Sequence, residues 1–415
     1  MITGNMGLNG IHYCRNQYIN TQLAAGITLD PNIIVMESEP STQRQPSPNP
    51  MLKRAFSLPI TQYAWREVRK GHPSVALEQL KVPVMHNLAP GEVLVQVEAA
   101  ALNPIGYKLM SMLPNTVAKR PHTAENDFTG IVVASQGVTE FKHGDAVCGW
   151  VSQSMSQMTS QGALCHFVRV RADHCVRRPH NVTPIQAAGV CLAGLSAYKL
   201  LFEDAKVKAG QRIFINNGSG GVGSFAIQLA KASGCHVTAT ASSTTRNFVL
   251  RLGADEVVDY QTEPVAQFLV KNPPEILFDA IVDCHGLSPD LYNNCEHYLK
   301  PEGIFATVAP ATPSLFATAT AGAGLFGRAL RPAWLGGVSR NLRLLNLENS
   351  KDDLRALGDF ISSGKVTPAV DSVFKFDDIF LAYERLMSGR AQGKVVVVVD
   401  SDLYVEQKHG KPKSI

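Results

Sequence analysis

An apolar run over 212–216 leads into Asn217, Gly218, Ser219, Gly220, Gly221, Val222 and Gly223, a G-x-G-x-x-G turn, and then into an amphipathic stretch over 222–233. These residue types at this spacing suit one chemistry. The pyrophosphate of a dinucleotide must reach bare backbone N–H groups at a helix N-terminus, and any Cβ there would hold it away. Glycines alone are a weak signal, because they also serve tight packing. Placed between a buried strand and a helix, they predict a dinucleotide site.

The window roughly 20 residues beyond the first glycine, where NAD-binding turns carry an acid for the ribose 2′-OH, reads Thr-Ala-Ser-Ser-Thr-Thr-Arg over 240–246. It holds no carboxylate to repel a 2′-phosphate. Its hydroxyls and the Arg246 guanidinium would bind one through charge-assisted hydrogen bonds, so the expected cofactor is NADP(H). The same Ser/Thr run can also cap the next helix, and the two readings are compatible.

The elements needed to present this turn follow from the surrounding pattern. After Pro184 the chain alternates: a helix over 185–201, strand 212–216, helix 222–233, strand 236–241, helix 246–252, then strands over 280–283 and 304–309. Strands parted by helices of that length predict a parallel sheet with right-handed crossovers. Between 62 and 179 the apolar runs are short, rich in Val and Ala, and punctuated by Pro and Gly, as at 92–101, 130–134 and 146–151, which predicts an antiparallel β domain. Strand character returns at 373–376 and 394–399 around a helix over 377–387, so the C-terminus is expected to complete that domain. The expected organisation is a disordered extension with a Pro-rich linker over 1–50, a β domain over 51–180, a nucleotide-binding domain over 181–345, a return to the β domain over 346–400 and a tail over 401–415.

At 415 residues, with 45% hydrophobic and 18% charged residues, the chain can bury two cores and is not a disordered composition. Lys and Arg exceed Asp and Glu by only 39 to 35, with no long basic run, which argues against nucleic acid as a partner. No apolar stretch reaches the roughly 18 to 20 residues of a membrane span. The nearest, over 317–330, is broken by Arg328 and is expected to be a buried or interface segment. Eight scattered cysteines without a C-x-x-C pair suit a reducing compartment, here the cytoplasm. Met51, followed by Lys53 and Arg54, keeps a mitochondrial address open.

Several further stretches carry a resemblance. They are Pro-Gly-Glu-Val-Leu-Val over 90–95, Ala-Leu-Asn-Pro-Ile-Gly-Tyr-Lys over 101–108, Asp-Phe-Thr-Gly over 127–130, His-Gly-Asp-Ala-Val-Cys-Gly over 143–149 and Ala-Gly-Leu-Ser-Ala-Tyr over 193–198. After the glycine turn come Leu-Gly-Ala-Asp-Glu-Val-Val-Asp-Tyr over 252–260 and Gly-Arg-Ala-Gln-Gly-Lys-Val-Val over 389–396. In this order the chain, over 60–400, resembles the medium-chain dehydrogenase/reductase superfamily, in its zinc-independent quinone oxidoreductase and enoyl reductase branch. The resemblance implies an α/β fold: a GroES-like β domain formed by both chain ends, plus a doubly wound Rossmann domain, with the active site between them. It implies that Ser242, Ser243, Arg246 and Tyr260 surround the 2′-phosphate and that Asn103 and Ser196 lie near the nicotinamide. It implies a homodimer as the common state, though the residues leave oligomerisation open. Two positions depart from the pattern: Ser196 stands where Thr is commoner, and Gly106 where Asp is commoner.

The zinc branch of the same superfamily needs metal donors that this chain lacks. No Cys follows Asn103 closely, Asn126-Asp127 replaces a His-Glu pair, and no cluster of four Cys is present. His122, Glu125 and Asp127 are expected to form a solvated turn. Without a metal, the acceptor must delocalise the arriving charge itself, as an enone, enoyl thioester or quinone does, helped by preorganised hydrogen-bond donors. Tyr107, following Asn103-Pro104, is the expected donor to the substrate oxygen or source of the proton, while Lys108 is expected in solvent. Asp283-Cys284-His285-Gly286, after a strand, is expected to offer backbone near the cofactor. The alternatives are an NADPH-binding sensor with little turnover and, less favoured, a zinc alcohol dehydrogenase. The substrate itself is not legible, because 110–123 and 310–339 match no usable pattern.

Overall fold

The computed structural model describes residues 58–286, 288–308 and 314–404, without the side chains of 315–317, 321, 325, 326 and 333. The expected extension over 1–50 and the tail beyond 404 lie outside the described residues.

Apolar strands parted by helices can bury both faces only in a parallel sheet covered on each side. The second half of the chain builds one, in the order Glu256–Asp259, His236–Ala241, Arg212–Asn216, Phe278–Asp283, Leu299–Thr307, Asn341–Leu344, every pair parallel. The strand order reverses beside Arg212–Asn216, where Asn216 pairs with Asp283. Ligands of doubly wound sheets bind at such a switch point, outside the carboxyl ends of the strands. Ile213, Phe214 and Ile215 are fully buried there, which fixes the end of the strand that carries the glycine turn.

The other half is a seven-stranded sheet drawn from both parts of the chain. Lys394–Val398 pairs with Val370–Lys375 on one side and runs antiparallel to Glu92–Ala101 on the other, opposing Val396 to Ala101. Glu92–Ala101 also pairs with Asp127–Gln136 and Phe167–Arg171, and the sheet continues through Ala146–Trp150 to Cys175–Arg177. Val93, Val95, Val97, Phe128, Val395 and Val397 share its core, which explains why a run of valines near the C-terminus folds back here. A smaller sheet of Leu77–Pro83, Thr61–Glu67 and His122–Thr123 adjoins it, and Trp65 Nε1 donates to the Phe376 carbonyl at 2.8 Å.

Two expectations change. The helix over 185–201 is broken: Pro184–Ala188 starts on a Thr183–Gln186 capping box and stops at Gly189, Cys191–Tyr198 follows, and a π-helical turn spans Lys199–Asp204. Gly189 sits against the Lys394 side chain, where a Cβ would crowd Cγ at 2.6 Å, so the break makes room for that lysine. The segment over 317–330 lies in the helix Leu315–Ala329, whose described side chains are exposed or half-buried and which ends at Leu330, 82% exposed. Among its described side chains none is buried within the chain. Among the described residues no helix is long and apolar enough to cross a membrane.

Candidate active site

The glycine turn is built by backbone geometry. Asn217 takes a left-handed φ of 62°, and its N–H donates to Thr240 Oγ1 at 2.7 Å while Gly218 N donates to the Thr240 carbonyl at 2.9 Å. Gly220 is the N-cap of the helix Gly221–Ala232 and offers no capping side chain, so the first-turn N–H groups stay open to a ligand. A Cβ on Gly223 would run into the Asn217 carbonyl, so only glycine lets the helix approach the strand this closely. Gly218, Ser219, Gly220, Gly221, Val222 and Gly223 thus form a cradle that fits a pyrophosphate.

The residues expected at the 2′-phosphate meet at one end of the sheet. Ser242, Ser243 and Arg246 follow the strand His236–Ala241, and Tyr260 follows its neighbour Glu256–Asp259, with Ala241 opposite Asp259. Arg246 is exposed and its Nη1 donates to the Val257 carbonyl at 3.1 Å; Tyr260 is 48% exposed; Ser243 Oγ donates to Gln261 Oε1 at 3.4 Å. Ser242 differs: its hydroxyl is buried against Thr244 Oγ1 and Thr245 Oγ1, both at 2.9 Å, and serves the turn into the next helix.

Beside the switch point, Asp283 Oδ1 accepts from Asn216 Nδ2 at 2.8 Å and from His285 N at 3.1 Å, while Oδ2 accepts from Thr307 Oγ1 at 3.0 Å. This buried network locks three adjacent strand ends. Burial and the neighbouring Asp283 push the Cys284 thiol well above its ordinary range, so it is no thiolate.

A buried polar cluster joins the glycine turn to the β domain, and its centre is a residue sequence reasoning missed. Lys394 Nζ donates to Asn103 Oδ1 at 2.5 Å and lies 3.2 Å from Asp127 Oδ2. The preceding Gly393 N donates to the Ser219 carbonyl at 3.0 Å. Asn103 Nδ2 donates to Asp127 Oδ2 at 3.1 Å and to the Ala101 carbonyl at 3.3 Å, and Asp127 Oδ1 accepts from Leu192 N at 2.8 Å. Ser196, one turn on, is buried and donates to the Leu192 carbonyl at 2.7 Å. The signal for Lys394 was a charged residue opening the strand of valines at 394–399; its partners, some 270 and 290 positions away, left none.

The expected solvated turn is the clearest correction. His122, Glu125 and Asp127 are all buried, Asp127 completely. Glu125 sits at a left-handed φ of 62°, its Oε2 accepting from Asn103 N at 3.0 Å and its Oε1 from the Tyr383 hydroxyl at 2.7 Å. A turn whose polar side chains find partners inside does not need water. Lys108, expected in solvent, is half-buried, and burial lowers its pKa. Tyr107 is half-buried against the apolar core of the β domain, and its hydroxyl has no partner among the described residues. Burial raises its pKa and keeps the O–H bond intact.

Beside these residues opens a small cleft, lined by Glu67, Gly106, Leu109, Arg120, His122 and Glu125 among others. Tyr107 is not on this wall. Glu67 faces the Arg120 guanidinium at 3.3 Å, yet burial pushes its carboxyl up to about 7. Among the described residues no three His, Cys, Asp or Glu side chains are arranged to hold a metal, and an ammonium already neutralises Asp127.

Comparison with known proteins agrees with this geometry. Residues 89–180 match the alcohol dehydrogenase GroES-like domain and 252–397 match a zinc-binding dehydrogenase domain, although the donor set described above does not fit zinc. A trans-enoyl reductase of Aspergillus terreus is 34% identical over 365 residues, covering 83% of this chain and 98% of that protein. A chloroplast envelope quinone oxidoreductase homolog of Arabidopsis thaliana is 31% identical, covering 79% and 95%. The solved quinone oxidoreductase of Coxiella burnetii superposes with a TM-score of 0.68 at 26% identity, covering 82% of this chain and all of that one. A GroES-like domain completed by the C-terminus, a Rossmann sheet with its glycine turn at the switch point and relatives of this kind make the chain an oxidoreductase of the medium-chain dehydrogenase/reductase superfamily, with a fold that takes a nicotinamide cofactor.

Proposed function

We propose that the chain is an NADPH-dependent reductase acting, without a metal, on the activated C=C of an α,β-unsaturated carbonyl compound or on a quinone. The observation that carries this reading is the make-up of the two ends of the site: a stretch over 240–246 that holds Arg246 and no carboxylate, and a cleft of protein hydrogen-bonding groups with no set of side chains arranged to hold a metal among the described residues. The names of the enoyl reductase and quinone oxidoreductase relatives support the acceptor class.

When bound, the nicotinamide supplies a hydride. The protein does the rest. Gly218 through Gly223 hold the pyrophosphate on main-chain N–H groups. Ser243, Arg246 and Tyr260 take the 2′-phosphate, with Ser242 shaping the loop behind them. Ser196 and Asn103 border the nicotinamide; the Asn103 amide, engaged by Lys394, Asp127 and Ala101, acts by fixing that wall. Tyr107 follows the cleft-lining Gly106 without being on that wall itself; it keeps its proton, and on this reading its O–H turns to the acceptor oxygen, where charge develops. Seven buried, unpaired cysteines among the described residues suit a reducing compartment such as the cytoplasm.

The test is an NADPH-oxidation panel of enones, enoyl thioesters, quinones and simple aldehydes, with and without a chelator. Turnover on conjugated acceptors, unaffected by chelation, is expected. Tight NADPH binding with no turnover on any acceptor would replace the enzyme by a cofactor sensor, and loss of activity on chelation would overturn the metal-free reading.

A further inference from the structure

Glu125 occupies space that Gly106 vacates. A Cβ built at 106 would lie 3.0 Å from the Glu125 Cδ and closer still to Oε1, so a side chain at 106 and the Glu125 carboxyl exclude each other. The resembled pattern places a carboxylate at 106; this chain brings one to the same spot from 125. It does so at a backbone angle, φ 62°, that a residue with a Cβ adopts only at a cost. The burial of a carboxyl needs a reason beyond packing, since an apolar residue would fill the space without taking a charged group out of water.

The carboxyl forms part of the cleft wall. Its two oxygens accept one hydrogen bond each, from Asn103 N and from Tyr383, while a carboxyl has about four lone-pair sites. Each oxygen therefore keeps a free site for a proton. We propose that Glu125 is the acid of this cleft, delivering the proton that accompanies the hydride when the acceptor is reduced. This rests on the reductase reading above. Reduction of a conjugated C=C takes up one hydride, its electron pair coming from NADPH with release of NADP+, and one proton. The π bond is lost and two C–H bonds form. The second of these uses the Glu125 O–H proton, the O–H electron pair stays on the carboxylate, and water in the cleft reprotonates it. With a quinone the proton goes to oxygen instead.

The groups that face Glu125 decide its protonation. Tyr383 comes from the helix Ile379–Met387, Lys394 from the strand Lys394–Val398, and Glu67 from the strand Thr61–Glu67 across the cleft. Arg120 and His122 precede Glu125, Asp127 follows it behind Asn103, and the helix Pro104–Met112 presents Gly106. Burial pushes the Glu125 carboxyl up to about 8, opposed by the Tyr383 hydroxyl, Lys394 and Asn103 N and reinforced by Glu67. Burial pushes His122 down, leaving it neutral, and burial together with Glu125 pushes Tyr383 well up.

The test combines E125Q and E67Q in two measurements. In the ligand-free protein, the infrared band of a protonated carboxyl is expected at pH 7 and should titrate away near pH 8. It should persist in E67Q with a lower midpoint, because a neighbouring negative charge is gone, and the part lost near pH 8 should be missing from E125Q. In turnover with an enone, wild-type kcat/KM should fall tenfold per pH unit above the same midpoint. E125Q should be slower at pH 7 by about 100-fold or more and lose that limb. A band unchanged by E125Q, or an E125Q enzyme with the wild-type rate and limb, overturns the assignment of Glu125 alone. Absence of wild-type turnover on every acceptor overturns the reductase reading, and this role with it. Should E125Q not fold, the pair E125G and G106D/E125G replaces it: the double variant is expected to regain rate lost in E125G, and full rate in E125G alone overturns the proposal.

Discussion

The glycine turn and the carboxyl-lined cleft lie at two ends of one polar path, from Ser219 through Gly393, Lys394 and Asn103 to Glu125, yet they are made in opposite ways. The turn works with main-chain N–H groups presented by one contiguous segment, and side chains there are obstacles. The cleft works with side chains brought from positions 67, 103, 125, 383 and 394, each needing a partner because each is buried. A site of the first kind tolerates little besides glycine. A site of the second kind is only as sound as its least satisfied charge.

That contrast can be broken most forcefully at Lys394. K394M removes the ammonium from beside a fully buried Asp127, and stranding one member of a buried pair costs about 3–5 kcal/mol. Denaturant unfolding should show a loss of that size, together with weaker cofactor binding because Gly393 is hydrogen-bonded to the turn. An effect confined to the β domain would separate the two regions. At the other end, R246A removes an exposed guanidinium with no buried partner to strand. It should leave stability unchanged and weaken NADPH binding by roughly ten- to a hundredfold, as expected for one charged hydrogen bond, while NADH binding stays the same.

A third prediction concerns pH. The folded-state pKa of Glu125 lies above its ordinary value of 4.5, at about 8, so its contribution to stability is fully present below 4.5 and lost as pH rises through about 8. Gln does not titrate. Melting curves should therefore show wild type losing ground to E125Q between these limits, at up to about 1.4 kcal/mol per pH unit; parallel curves would mean the carboxyl is ionised throughout. The smallest effect is expected from Y107F, which keeps the ring and removes one O–H. It should lower kcat by roughly tenfold or less, with little change in stability.

The same contrast explains what the sequence disclosed. The glycine turn, the strand Arg212–Asn216 and the parallel sheet were legible because each rests on local residue types and period. The closing of the β domain by the C-terminal valines was legible as a return of strand character. The helix over 185–201 was read through its break because the cause, the Lys394 side chain, comes from some 200 residues away. His122, Glu125 and Asp127 were misread as solvated because a run of polar residues beside glycine and proline resembles a surface turn. Nothing local announces that Tyr383, Asn103 and Lys394 wait to satisfy them. Gly106 shows in the sequence as a missing carboxylate, but only the fold places Glu125 in the gap.

The most direct test of the account is calorimetric titration of NADPH and NADH into the same purified protein. NADPH is expected to bind tighter than NADH by tenfold or more, a gap that R246A should close. Equal affinity for the two cofactors, or a preference for NADH, would contradict it.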